Sequence, residues 1–145
     1  MWLRGAVLAA LILPALLAQN DWSNWGRDPG NQRFSPLKQI NAGNVSKLAP
    51  AWQYEMKQEG RLVRNAQSTP LMVNGVLYST GGTRRTVVAL DAATGELLWN
   101  HAEREGRRGE VGPRQLSGRG LAYWANGNEE RILYVTPGYQ LVALN

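Results

Sequence analysis

Apolar residues come in short runs broken by turn formers over most of the chain, a spacing that suits strands better than helices. Thr69 to Val73 and Val76 to Thr80 flank Asn74-Gly75, the preferred dipeptide for a two-residue hairpin turn in which both residues take positive φ. Thr86 to Asp91 and Glu96 to Trp99 flank Ala92-Ala93-Thr94-Gly95. Asp91 can accept hydrogen bonds from the backbone N–H groups just beyond it, and Gly95 can reverse the chain without a Cβ clash. The pattern therefore predicts a complete four-stranded antiparallel sheet over 69–100. A second set of strands is expected at Gly118 to Trp124, Arg131 to Thr136 and Gln140 to Leu144, with Pro137-Gly138-Tyr139 between the last two.

The two sets echo one another. Leu77-Tyr78-Ser79-Thr80 followed by Val88-Ala89-Leu90-Asp91 matches Leu133-Tyr134-Val135-Thr136 followed by Val142-Ala143-Leu144-Asn145. A period of about 55 residues built from short strands is the signature of a β-propeller blade. Trp99 ends the first unit with a large ring, and burying an indole removes roughly 200 Å² from water. A lone hairpin has no second layer to cover it, so a neighbouring sheet is required. The fold class expected is all-β: a partial propeller of about two four-stranded blades, the second incomplete over 117–145.

Upstream, Ala51 to Met56 alternates small or polar with apolar residues and is expected to be a closing strand. Before it, the 19–50 segment contains Asp21-Trp22-Ser23-Asn24-Trp25-Gly26-Arg27 and a turn-rich Asp28 to Arg33, which together suggest an irregular clamp pinned by aromatic burial. Asn41 is a good N-cap for one short helix with Val45 and Leu48 on one face. The sequon Asn44-Val45-Ser46 is read as a chance match.

Composition narrows the compartment and the partners. The 145 residues contain no cysteine, so disulfides and thiolate metal sites are excluded within them. The formal charge of +5 is spread rather than striped, which argues against nucleic acid as a partner. Arg4 precedes an apolar run from Ala6 to Ala18, too short for the roughly 20 residues of a membrane span. Residues 1–18 read as an export signal cut after Ala18, with an uncleaved membrane anchor as the alternative, and the expected location is periplasmic.

The set Asp21-Trp22, Gly26-Arg27, Phe34-Ser35, Ile40-Asn41, Asn44-Val45 and Leu48 resembles the N-terminal signature of the bacterial quinoprotein dehydrogenases, which use pyrroloquinoline quinone (PQQ). Ala89, Asp91, Gly95 and Trp99 resemble the tryptophan docking motif that recurs around that family's eight-bladed propeller. The resemblance implies oxidation of a sugar, polyol or alcohol with electrons passing to a membrane quinone or a cytochrome c. It also implies a calcium ion on the cofactor and an aspartate base, both held outside these residues, and a chain that is the N-terminal part of a longer enzyme.

In a propeller the starts of the innermost strands crowd the mouth of the central channel, where a flat cofactor can sit. Asn65 to Pro70 and Leu116 to Gly120 hold those positions. Arg119 suits the quinone's carboxylates because a fixed guanidinium donates two parallel hydrogen bonds. The motif Arg119-Gly120-Leu121-Ala122-Tyr123-Trp124 resembles the family's second-blade motif, whose arginine contacts the quinone. Gln67 falls where many members have a cofactor-contacting glutamate, and Ser117 is a third candidate. Methanol-oxidising members carry adjacent cysteines where this chain has Pro113-Arg114, a departure that favours sugars or polyols, whereas Trp124 falls where some sugar-oxidising members have histidine. His101, Glu103, Glu105 and Glu110 are expected to be solvated. Two other readings remain: a non-catalytic propeller scaffold of the outer-membrane assembly kind, and an inactive truncated fragment. The segment is expected to fold poorly by itself, because repeat units are stabilised by neighbours.

Overall fold

The computed structural model describes residues 21–58, 61–62, 67–82, 84–113 and 120–145. Residues 1–18, read above as an export signal, and Arg114, Ser117 and Arg119 lie outside the described residues. A short hairpin, β1 (Lys57–Gln58) and β2 (Arg61–Leu62), precedes two larger sheets. The first sheet has four antiparallel strands in the order β3 (Leu71–Val73), β4 (Val76–Gly81), β5 (Thr86–Asp91) and β6 (Leu97–His101). The second has three, β7 (Ala122–Asn126), β8 (Glu129–Val135) and β9 (Leu141–Leu144). Between the sheets lies a single helical turn, α1 (Arg107–Glu110).

The two predicted turns form as their residues dictate. Asn74 and Gly75 take φ of 51° and 78°, and Val73 pairs with Val76 across them. Asp91 Oδ1 accepts hydrogen bonds from the Ala93 N–H at 3.0 Å, the Thr94 N–H at 2.8 Å and the Thr94 hydroxyl at 2.9 Å. Gly95, at φ 76°, closes the turn by donating to the Asp91 carbonyl at 2.8 Å. The register of β5 against β6 then slips by a bulge at Ala89/Leu90.

The sheets meet over a shared apolar core. Val87 from the first sheet and Ile132 and Tyr134 from the second are buried together, and Tyr78, Trp99, Leu121, Tyr123, Val142 and Leu144 pack around them. The Trp99 ring, half-buried, lies 5.9 Å from that of Tyr78 and packs on this shared cluster. Arg85 adds a polar tie: its guanidinium donates to the Val135 carbonyl at 2.9 Å and the Thr136 carbonyl at 3.0 Å while only 7% exposed.

Two expected elements differ. Ala51 to Met56 forms no ladder, although Trp52, Tyr54 and Met56 are half-buried in alternation. A strand needs a partner, and no described strand lies beside this one. Its anchoring comes instead from Trp52, whose indole lies on Gly95 and donates to the Ala92 carbonyl at 3.1 Å. The helix expected near 41–48 shrinks to a 3-10 turn at Val45–Lys47 with Asn44 at the N-cap position. Asn41 and Asn44 spend their side chains on the preceding turn, accepting from the Gly43 and Asn41 N–H groups respectively, which competes with a longer helix.

The N-terminal segment does act as a clamp. Trp22 exchanges both backbone hydrogen bonds with Met72, at 2.7 and 3.1 Å, on the open side of β3. Asp21 accepts from the Asn74 N–H at 3.1 Å, and the Arg33 guanidinium stacks 3.9 Å above Trp25.

Candidate functional site

Strand order fixes which loops share an end of the molecule. β3 and β7 begin at the same end, and because every pairing is antiparallel the β4–β5 loop, the linker carrying α1 and the β8–β9 turn lie there too. The turns at Asn74-Gly75 and Asp91 to Gly95 lie at the opposite end.

At the first end an open cleft of about 460 Å³ separates the starts of β3 and β7, lined by Trp25, Gln67, Thr69, Leu71, Gly120 and Leu121. That volume lies in the range of small-molecule sites, roughly 300–1,000 Å³. Gly120 takes φ 114°, a conformation glycine adopts freely, and a Cβ built on it would sit 3.7 Å from the Thr69 carbonyl, so the two strand starts approach closely. The lining is apolar on its faces, with the Gln67 amide and the Thr69 hydroxyl as polar handles. None of these described residues carries a charge. A second apolar cleft of about 510 Å³ shares Trp25, Thr69 and Leu71 as a wall and adds Arg33 and Trp22.

Of the three residues singled out from sequence, Gln67 is exposed on the cleft wall, and the residue following Arg119, Gly120, faces it across the opening. Ser117 and Arg119 themselves are not among the described residues. Trp25 went unrecognised as a lining residue because its sequence context announced only aromatic burial. Thr69 lay within the expected inner-strand stretch but carried no signal of its own.

The solvated reading of the linker needs correction at Glu105, while Glu110 is exposed and His101 and Glu103 are each 36% exposed. Glu105 is buried, accepting from the Thr136 hydroxyl and the Gly138 N–H. His101 Nε2 sits 2.9 Å from Glu103 Oε1, and its ring meets that of Tyr134 edge-on at 6.3 Å. Burial, with Glu103 and Glu105 nearby, pushes the Tyr134 hydroxyl up to about 12. Among the described residues no three His, Cys, Asp or Glu side chains gather as a metal site.

Two antiparallel sheets that share one apolar core, with a half-buried tryptophan packed on it and a cleft between their strand starts, fit a sector of a β-propeller. The family model described as "PQQ: Glucose/ethanol/alcohol dehydrogenase, beta-propeller domain" matches residues 22–145, and the chain belongs to that family. It is 41% identical over 126 residues to the dehydrogenase subunit of the quinone alcohol dehydrogenase of Gluconobacter oxydans (strain 621H), covering 86% of this chain and 16% of that protein. Among solved structures it resembles the quinohemoprotein alcohol dehydrogenase of Comamonas testosteroni, with TM-score 0.69, 29% identity, and coverage of 96% of this chain and 20% of that one. A europium-containing methanol dehydrogenase is also similar, with TM-score 0.65, 26% identity, and coverage of 84% of this chain and 21% of that one. The chain thus spans about one sixth of the length of the curated relatives it matches.

The family is described by its cofactor, PQQ, and the methanol dehydrogenase among the solved structures contains europium. The described lining fits the quinone: Trp25, Leu71 and Leu121 offer apolar surface to a fused aromatic ring system, and the Gln67 amide and Thr69 hydroxyl offer partners to its oxygens.

Proposed function

We propose that these residues are the N-terminal sector of an exported quinoprotein dehydrogenase that oxidises an alcohol, and that their part is to hold one edge of the quinone. The observation that carries this reading is the cleft that brings Gln67 opposite Gly120 at the inner ends of two blades. Pyrroloquinoline quinone, when bound, supplies the two-electron acceptor that protein side chains lack. Gln67 donates or accepts a neutral hydrogen bond at the cofactor's rim. Arg119, next to Gly120, adds a charge-assisted contact to a carboxylate, and Ser117 a hydroxyl. Trp25 and Leu121 shield the flat faces from water.

The names of the relatives favour a small alcohol as substrate, with a cytochrome or a membrane quinone as electron acceptor and calcium or another metal ion on the cofactor. Pro113, in place of a cysteine, favours the second reading, a sugar or polyol. The apolar run from Ala6 to Ala18 supports export to the periplasm, with or without membrane association.

The test is reconstitution of the ring-forming protein that contains this sector with PQQ and calcium. Arg119→Ala is expected to weaken quinone binding about tenfold or more and Gln67→Ala by less, as a charged contact outweighs a neutral one. Dye reduction with ethanol against glucose and glycerol then separates the two substrate readings. A wild-type protein that binds no quinone would favour the scaffold instead.

A further inference from the structure

One carboxylate pins the linker between the sheets at the cleft end of the molecule. Glu105 stands in a loop rich in arginine and glycine, yet its side chain is only 3% exposed. Its Oε1 accepts from the Thr136 hydroxyl at 2.5 Å and its Oε2 from the Gly138 N–H at 2.7 Å. Arg108, from the start of α1, brings its guanidinium to 4.0 Å of Oε1 while remaining 56% exposed. Two of these partners belong to the β8–β9 turn and one to the linker, so a single side chain ties linker to blade.

The backbone repeats the tie a few residues on. A Cβ built on Gly112 would lie 2.6 Å from the Pro137 carbonyl, and one on Gly138 would lie 2.5 Å from Glu105 Oε1. No larger residue fits at either place without displacing the partner, so linker and turn interlock at two points. Beyond Pro113 the next described residue is Gly120, on the cleft wall. Leu121 lines the cleft and also packs on the Val87, Ile132 and Tyr134 core, and Tyr134 is on the strand that leads into Thr136.

We propose that Glu105 is a positioning residue for the quinone site: its buried carboxylate fixes where the linker leaves the second blade, and so sets the Gly120-Leu121 wall of the cleft. This rests on the quinone reading above. The physical argument is one of acceptors. Thr136 and Gly138 both donate to the carboxylate, whereas a glutamine keeps the Gly138 bond only through its oxygen and replaces the short charge-assisted bond from Thr136 with a neutral one of reversed direction. A misfit at the interlock is carried to the cleft through β8, whose Tyr134 lies two residues before Thr136 in the core that Leu121 packs against, and small displacements of binding groups weaken binding steeply.

The experiment titrates the metal-loaded, quinone-free, ring-forming protein with PQQ and follows tryptophan fluorescence. Glu105→Gln and Thr136→Val are each expected to raise the dissociation constant about tenfold, while Thr136→Ser, which keeps the hydroxyl, stays near wild type. Asp91→Ala, which damages a turn at the opposite end, is expected to lower the unfolding temperature and leave quinone affinity unchanged. Hydrogen exchange at the Leu121 N–H should speed up in Glu105→Gln but not in Asp91→Ala. The positioning role is overturned if Glu105→Gln binds as tightly as wild type, or if Asp91→Ala weakens binding equally. Should Glu105→Gln fail to fold, the Thr136→Val and Thr136→Ser pair decides by the same comparison. A wild type without quinone affinity would instead overturn the quinone reading on which the role depends.

Discussion

Asp91 shows what a single side chain can specify. It accepts three hydrogen bonds within its own turn, and those from Thr94, first the N–H and then the hydroxyl, hold its carboxyl below the ordinary value. A carboxylate with a lowered folded pKa contributes stability that is complete above the unfolded value, about 4, and is lost as pH falls through the folded one. Asp91→Asn keeps an acceptor but cannot titrate. Acid unfolding followed by circular dichroism should therefore show a shallower loss of stability below pH 4 in the variant, and identical slopes would remove the assignment. This turn was legible from sequence because its partners are the next few residues. Glu105 was not, because its partners stand 31 and 33 residues away and nothing local distinguishes it from Glu103 or Glu110.

At the scale of elements, the hairpins were legible because strand alternation and turn chemistry agree, and Asn74-Gly75 fixed a register that the structure reproduces residue for residue. Ala51 to Met56 has the alternation of a strand but no ladder among the described strands: alternation reports which side chains are buried, whereas a ladder also needs a neighbour for the backbone. The docking of Trp52 onto the next turn offers a clean comparison. Gly75 and Gly95 have nearly equal positive φ, 78° and 76°, but nothing lies within 4 Å of a Cβ on Gly75, while one on Gly95 would lie 2.6 Å from the Trp52 ring. In the ring-forming protein Gly75→Ala is expected to cost about 1 kcal/mol from backbone strain alone. Gly95→Ala should cost about 3 kcal/mol, because overpacking adds to strain. Equal shifts in denaturant midpoint would show that Trp52 does not press on that turn.

For the whole molecule, large apolar side chains stay in view on several surfaces. Phe34 is 63% exposed, Ile40 61% and Leu141 71%, and the two sheets share one modest core. Repeat sectors gain stability from neighbours, with about three units usually required. The 145 residues expressed alone are expected to bind a hydrophobic dye and to melt without a sharp calorimetric transition, whereas a cooperative transition would show that the sector suffices. Propeller class was legible at this scale because the repeat is written into the sequence twice. The cleft was half legible: inner-strand starts could be located by topology, which found Gln67, but the contribution of Trp25 depends on where the N-terminal segment crosses, and no local pattern encodes that.

That crossing also bears on the order of events as the chain emerges and folds. The partners Asp21 and Asn74 are 53 residues apart, and Trp22 with Met72 closes the same border of β3. Chains emerge N-terminus first and fold as units while growing. The leading segment is already outside when β3 appears, so a sticky border is sealed vectorially, before the later strands are made. An emerging chain built this way covers that border with its own leading segment before another chain can pair with it.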